Sequence, residues 1–475
     1  MPLISINPQD TLPLVEQIVQ GLAQLIDLQK IRTGSRLPSI RQFALEHQVS
    51  RFTVVQAYDR LVASGHLRSR KGSGFYVSQI ATNVIKQGAE VSELDQAVDV
   101  LWVLKRYLHD ESKHFQLGCG WLPADWLDAN MIRRALRQVS REPASALVQY
   151  GRGQGYLPLR YALVQRLEEQ GINASVEQVL TTNGVSHALD LIGRYFIRRG
   201  DIVLVDDPAY FNLYGCLQAL GAKVIGIARR RDGPNIEQMT KILKQHKVTL
   251  FITSSLLQNP TGLCISPPIA FQLLSLANQF NFLIVDDDIY GDFHSEKGQH
   301  LAMLDQLQRV IHVSSFSKTI SGSLRVGYIA CDKKIAAELL NLKLLTCFTC
   351  SELNERIIYE ILKEGLYRKH LNRLRKKLDI ARDKTLQQLE TLGIYSAIES
   401  TQGYFIWAKL PEHNGTTANA AAITTRALQH DMMLAPGNTF SLSPGISSYM
   451  RFNIAYFYQQ PKAFNTLKQL LTVSE

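Results

Sequence analysis

The stretch VSSFSKTISGSLRVGYIA, Val313–Ala330, sets one lysine and one arginine among small hydroxyl residues. The apolar run RVIHV leads into it and VGYIA leads out. Short apolar runs of this kind read as buried strands. Lys318 and Arg325 therefore stand at the junction of two strands. DIVLVDDPAY, KVIGI, TLFITSS and FLIVDDDIY are further strand-like runs, separated by helical patterns, between about residue 113 and residue 475. Such alternation argues for an α/β fold with a mostly parallel sheet.

Composition sets the outer bounds. At 475 residues the length predicts about three domains. Hydrophobic residues make up 45% and charged residues 20%, as in an ordinary soluble protein. No apolar run reaches the ~18 residues of a bilayer span. MPLISINPQD lacks the basic and apolar regions of a secretory signal. Six scattered cysteines fit a reduced cytosolic protein. Cys347 and Cys350 form a single CxxC, read as two small residues on a helix rather than half a zinc site. The net charge of +10 permits an acidic partner without naming one.

Charge is concentrated near the start. Residues 1–80 hold nine Lys or Arg against five Asp or Glu, and all nine lie between Lys30 and Lys71. Leu14, Ile18, Leu22, Leu25 and Leu28 recur at helical spacing. Ser39 is placed to cap a short helix through Phe43, Ala44 and His47, and Ser50 to cap a second. Val54, Val55, Tyr58, Leu61 and Val62 share one face of that second helix, which Gly65 ends. HLRSRKGSGFYV then reads as strand, glycine turn, strand. Helix, short helix, helix and basic hairpin is the order of a winged helix-turn-helix. Arg51 and Thr53 start the second helix of the motif, where recognition helices meet DNA. Residues 80–112 read as a linker with a helical portion.

The Val313–Ala330 junction can be weighed chemically. A lysine at a buried strand end forms an imine with an aldehyde once its pKa is lowered. Pyridoxal phosphate is such an aldehyde. It also needs a phosphate cradle, an acid at its pyridine nitrogen, a polar group at its phenolic oxygen and a stacking ring. Arg325 is a planar fork suited to phosphate, with Ser315 and Ser317 nearby. In TTNGVSHALDLI, 181–192, a tight turn at Gly184 opens a helix, so the N–H groups of Val185 and Ser186 are available to an anion. FLIVDDDIY ends a strand in Asp286, Asp287 and Asp288, any of which could face the ring nitrogen. Tyr290 follows three residues after Asp287. QNPTG, 258–262, supplies Asn259, and DDPAYFNL supplies Tyr210.

Two resemblances sharpen this. RLPSIRQFA (36–44), VSRFTVVQAYDRLVASGHL (49–67) and GSGFYV (72–77) resemble the GntR family of DNA-binding regulators. That implies DNA contacts at Arg36, Arg41, Arg51, Thr53 and Gly72. YGRGQGYLPLR (150–160), NPTG, DDDIYGDF, SFSK…LRVGY and PGNTF (436–440) resemble fold-type I aminotransferases over nearly all of 113–475. This second resemblance implies that Lys318 carries the cofactor as an internal aldimine and that Asp287 partners the pyridine nitrogen. Tyr290 and Asn259 would meet the phenolic oxygen, and Arg325 the phosphate. Arg451, in YMRFNIA, matches an arginine that clamps a substrate carboxylate. Tyr150 matches a tyrosine that reaches the phosphate across a dimer interface. One departure stands out: Gly322-Ser323 occupies a place where Pro-Gly is common.

A GntR-like reader on an aminotransferase-like body resembles the MocR subfamily of transcription regulators. The resemblance implies a fold-type I α/β body with a smaller C-terminal α+β subdomain, at 113–475, behind a winged helix-turn-helix at 11–79. It implies a cytoplasmic, homodimeric regulator that binds an operator in double-stranded DNA, with no membrane partner. Its effector would be an amine, an amino acid or pyridoxal phosphate itself. The alternative is a working aminotransferase with an accessory DNA domain, which multiple-turnover keto-acid formation would reveal. A DNA-binding protein with a body that has lost its cofactor is disfavoured by the intact set of Lys318, Asp287 and Arg325.

Overall fold

The computed structural model describes residues 4, 6–7, 12–27, 31, 34–64, 66–70, 74–78, 115–295, 298–397, 402–412, 418–443 and 445–472. They belong to two compact units, 1–91 and 92–475. Gly72, Gly65, Leu28, Lys71 and the expected linker 80–112 with its helical portion lie outside the described residues.

The first unit contains α1 (Leu14–Asp27), α2 (Ile40–Glu46), α3 (Arg51–Ala63), β1 (Leu67–Arg70) and β2 (Gly74–Val77). Both expected caps form. Ser39 Oγ accepts from the Gln42 amide at 3.2 Å, and Ser50 Oγ from the Thr53 amide at 3.0 Å. Each satisfies an amide that has no partner inside its helix. Ile18, Leu22, Phe43, Val54, Tyr58, Leu61 and Val77 are buried in one core. The hairpin pairs Leu67 with Val77 and Arg70 with Gly74, antiparallel.

The second unit is built on an eight-stranded sheet. Its strands are β3 (Val179–Thr182), β4 (Ile202–Asp207), β5 (Lys223–Arg230), β6 (Gly233–Pro234), β7 (Val248–Thr253), β8 (Leu283–Asp287), β9 (Val310–Ser315) and β10 (Gly327–Ala330). The order is β3-β10-β9-β8-β7-β4-β5-β6. Strands β9, β8, β7, β4 and β5 run parallel, while β10 lies antiparallel between β3 and β9. Helices cover both faces, so β9 and β10 are buried at every residue, as their unbroken apolar runs require. The expected fold is present, including the smaller subdomain. That part holds an antiparallel sheet ordered β11 (Tyr395–Ser396), β12 (Phe405–Lys409), β14 (Tyr449–Asn453), β13 (Ala435–Pro436). The segment 115–126 threads into it. The Phe115 amide donates to Asp431, and the Asn453 amide to the Leu117 carbonyl, each at 2.7 Å.

At the rim that carries the strand C-termini, Arg229 of β5 ties three strands. Its guanidinium meets Asp206 of β4 at 2.9 Å and Thr253 of β7 at 3.1 Å, with both charged side chains fully buried. Removing the arginine strands a buried carboxylate. Arg229→Met is expected to cost about 3–5 kcal/mol in chemical denaturation of the body. Adding Asp206→Leu should recover much of the loss. A single-variant cost within ~1 kcal/mol, the scale of an exposed pair, would show the pair is not structural.

Candidate cofactor site and DNA-binding surface

Lys318 follows β9 by three residues, and the rim of the sheet delivers its side chain to a half-buried place. Its Nζ donates to the Gly120 carbonyl at 2.6 Å. Burial, with Arg451 adding, lowers its pKa to about 8, and Cys119 and Asp287 act in the opposite direction. A lysine near this value has a substantial neutral, nucleophilic fraction at working pH.

Strand alternation sorts the three aspartates. Asp286 turns to one face, where Oδ1 accepts from the Ser255 amide at 2.8 Å and Oδ2 is 2.7 Å from Ser255 Oγ. Asp288 turns the same way, toward His300 and His312. Asp287 faces the opposite side, where its charge acts on Lys318, Tyr210 and Tyr290. Burial pushes its pKa up to about 7, the Ile289 amide and Lys318 pull it down, and its two neighbouring aspartates push it further up.

Tyr290 is buried, and its Oη lies 3.5 Å from Asn259 Nδ2. Asn259 Oδ1 in turn accepts from Arg451 Nη1 at 2.6 Å. Arg451 Nη2 donates to the Gly118 carbonyl at 2.6 Å, and the guanidinium lies against the rings of Phe405 and Phe440. It is 3% exposed, and its Nε has no hydrogen-bond partner among the described residues. Its hydrogen bonds go to neutral carbonyl oxygens, so among the described residues the buried charge has no anionic hydrogen-bond partner. Tyr210 caps the helix Phe211–Ala219 from a half-buried position, within the fields of Arg451 and Asp287. Lys318, Asp287, Tyr290, Asn259, Arg451 and Tyr210 thus converge.

An anion cradle lies beside them. Gly184 has φ +81° and opens the twelve-residue helix Val185–Phe196. That positive φ favours glycine, and the missing Cβ lets Arg325 Nη2 come within 2.7 Å of where it would stand. Arg325 is exposed and donates to Ser317 Oγ at 3.3 Å and to the Asn183 carbonyl at 3.1 Å. Ser315, the other expected donor near Arg325, also shapes the loop. Its Oγ donates to the Val326 carbonyl at 2.9 Å and accepts from the Ser317 amide at 3.0 Å, closing the loop. At the Gly322-Ser323 departure, Ser321 Oγ lies 2.8 Å from Ser323 Oγ and accepts from the Ser323 amide at 3.2 Å, which shapes the turn.

Tyr150 stands apart. It is 83% exposed and packs edge-on against Phe348, outside the cluster around Lys318. The CxxC expectation needs correction, because Cys347 caps a helix C-terminus and Cys350 lies in the turn beyond, beside His187. Sequence reasoning missed the Gly118 and Gly120 carbonyls, Phe405, Phe440 and Tyr404. Tyr404 Oη donates to the Gly120 carbonyl at 3.1 Å. The two glycines of QLGCGW were the available signal.

On the first unit, Arg36, Arg41 and Arg51 are exposed, as is Arg68 on the hairpin. Arg36 bridges to Tyr76 of β2, beside Gly74. Phe52, next to Arg51, is 70% exposed at the start of α3. Thr53 Oγ1 lies 2.7 Å from the capping Ser50 Oγ, so this hydroxyl also serves the cap.

Residues 113–459 match the aminotransferase class I and II family. The chain belongs to that family. Residues 14–77 match the gntR family of bacterial regulatory proteins. An Escherichia coli K12 HTH-type transcriptional regulator, YdcR, is 29% identical over 93% of both chains. The Staphylococcus aureus HTH-type transcriptional regulator NorG is 27% identical over 78% of this chain and 86% of its own. Pyrococcus horikoshii kynurenine aminotransferase, solved with PMP, superposes with a TM-score of 0.72 at 25% identity, covering 82% of this chain and 98% of that one. A GntR reader fused to an aminotransferase body is the MocR architecture, and the protein is a DNA-binding transcription regulator. Its body carries the pyridoxal phosphate-dependent fold. The residues fit that cofactor: a lysine of lowered pKa, a facing carboxylate and a helix N-terminus under an arginine. No helix among the described residues is long and apolar enough to cross a membrane.

The lysine yields a pH test. Below about 8 the Nζ of Lys318 is protonated and cannot attack an aldehyde; above it the amine is free. Covalent capture of pyridoxal phosphate by cofactor-free protein should accelerate as pH rises through about 8, followed by visible absorbance. A rate that keeps rising about tenfold per pH unit through pH 9, without levelling off, would contradict the lowered pKa.

Proposed function

We propose that the body senses a carboxylate-bearing amine through pyridoxal phosphate held on Lys318, and that occupancy changes how the winged helices engage their operator in the cytoplasm. The cofactor supplies an aldehyde that condenses with primary amines and a ring that withdraws electrons when its nitrogen is protonated. Asp287 would keep that nitrogen protonated. Tyr290 and Asn259 would meet the phenolic oxygen, and Tyr210 would lie against the ring. Arg325, Ser317 and the Val185 and Ser186 amides would hold the phosphate, with Ser315 bracing the loop.

The single observation behind an amino-acid effector is Arg451. A buried guanidinium bonded only to carbonyl oxygens retains the capacity to hold a carboxylate, and aromatic walls keep water away. An effector amine would compete with Lys318 Nζ for the same carbon, and the Gly120 carbonyl is the acceptor ready for the displaced lysine.

The body is proposed to pair with a second copy of itself. Val148, Tyr150, Leu345 and Phe348 are more than half exposed, and Tyr150 touches Phe348. A patch of this kind marks an association surface. A partner copy would place Tyr150 where the family resemblance puts it, at the neighbouring phosphate. Two readers would then engage a repeated operator.

Operator binding by full-length protein tests the proposal, with a panel of amino acids as effectors. An amino acid that shifts the cofactor absorbance should also change operator affinity or bending. Arg451→Ala should raise the effector concentration needed by roughly 10–150-fold, the equivalent of ~1.5–3 kcal/mol, and leave cofactor attachment intact. Arg51→Ala should lose specific operator binding and keep the spectral response. An effector that shifts absorbance while every DNA readout stays constant would favour the enzyme over the sensor.

A further inference from the structure

Behind β8 and β9, on the face away from Lys318, lies a polar cluster that the cofactor site does not use. Asp286, Asp288, His300 and His312 are each at most 4% exposed. Among the described residues, Asp288 Oδ1, His300 Nδ1 and both ring nitrogens of His312 have no hydrogen-bond partner. Buried polar atoms without partners are rare, and four in one place call for ordered water or a bound ion.

The spacing identifies the kind of occupant. His300 Nδ1 is 3.5 Å from Asp288 Oδ1, and His312 Nε2 is 3.8 Å from Asp288 Oδ2. These exceed good hydrogen-bond lengths. They approach the edges of a tetrahedron around zinc, about 3.3–3.5 Å for bonds near 2.0–2.1 Å. Asp286, His300 and His312 also offer ligand atoms that lie within 4.8 Å of one another. We propose that Asp286, His300 and His312, with Asp288 as fourth ligand or close counter-charge, form a buried site for a divalent cation of zinc's kind.

Charge agrees. Asp286, Asp288 and Asp292 are the acids here, and the nearby cation is Arg166, which pairs with Asp292. Burial pushes the carboxyls of Asp286 and Asp288 up, Asp288 well above the usual range, so both hold protons readily, and a divalent ion would displace those protons. Burial lowers the pKa of both histidines, keeping them neutral and ready to ligate. His294 contributes a further field at Asp288 and His300, and the Tyr328 hydroxyl lies within the same buried region. An entry path exists, because His300 lines an open cavity of about 1380 Å³ together with Gly291, Asp292 and Ser295. The consequence reaches the front of the sheet. Asp286 and Asp288 push Asp287 toward protonation, and a cation between them and the histidines would remove that push.

The test measures metal in untagged full-length protein. After incubation with Zn2+ and dialysis, the wild type should retain about one equivalent per chain more than His300→Gln and His312→Phe. A strong chelator should remove it and lower the melting temperature of the wild type only. Mg2+ should not replace it. Retention equal in wild type and both variants overturns the proposal. So does loss of the metal in Cys347→Ala, which would move the ion to the His187, Cys347 and Cys350 cluster. A wild type that binds none means the cluster holds water. If His312→Phe fails to fold, His300→Gln at the cavity wall decides.

Discussion

A regular strand sends alternate side chains to opposite faces. At the end of β8 this rule splits Asp286-Asp287-Asp288. Asp287 joins Lys318 on the functional face, and its two neighbours go behind the sheet. The parallel run β9, β8, β7, β4 brings strand ends to one rim. Lys318, Asp287, Asn259 and Tyr210 all lie just beyond or at those ends. Antiparallel β10 then returns the chain after the lysine loop and sets Arg325 beside Gly184.

Much of this was legible because it is local. The capping serines, the hairpin register and the strand–turn–helix at Gly184 are each written within about a dozen residues. The mostly parallel sheet followed from apolar runs alternating with helical patterns, whereas the order of its strands did not. Asp287 could be preferred over its neighbours only from spacing and resemblance, until the strand direction separated the three.

What stayed hidden depends on pairings distant in sequence. Arg451 meets Asn259 across 192 residues and the Gly118 carbonyl across 333. Nothing local in either segment announces the contact. The entry of 115–126 into the C-terminal subdomain was hidden for the same reason, and with it the Gly120 acceptor for Lys318. The Ser315 hydroxyl also closes its own loop, a use that composition does not reveal. His300 and His312 drew no notice in the sequence, since isolated histidines become a cluster only when β9 and the chain before it fold against β8.

The account turns on which lysine takes the cofactor. Lys343 is the rival by burial, fully enclosed with Nζ donating to the Gly153 carbonyl at 2.7 Å. Yet Lys318 is the one that shares its locus with Asp287 and Arg451, and burial lowers its pKa to about 8. Borohydride reduction of the yellow protein, followed by digestion and mass spectrometry, reads the site directly. A pyridoxyl mass on the peptide containing Lys318 is the predicted result. An adduct on Lys343 or another lysine, or none on a protein saturated with pyridoxal phosphate, would contradict it.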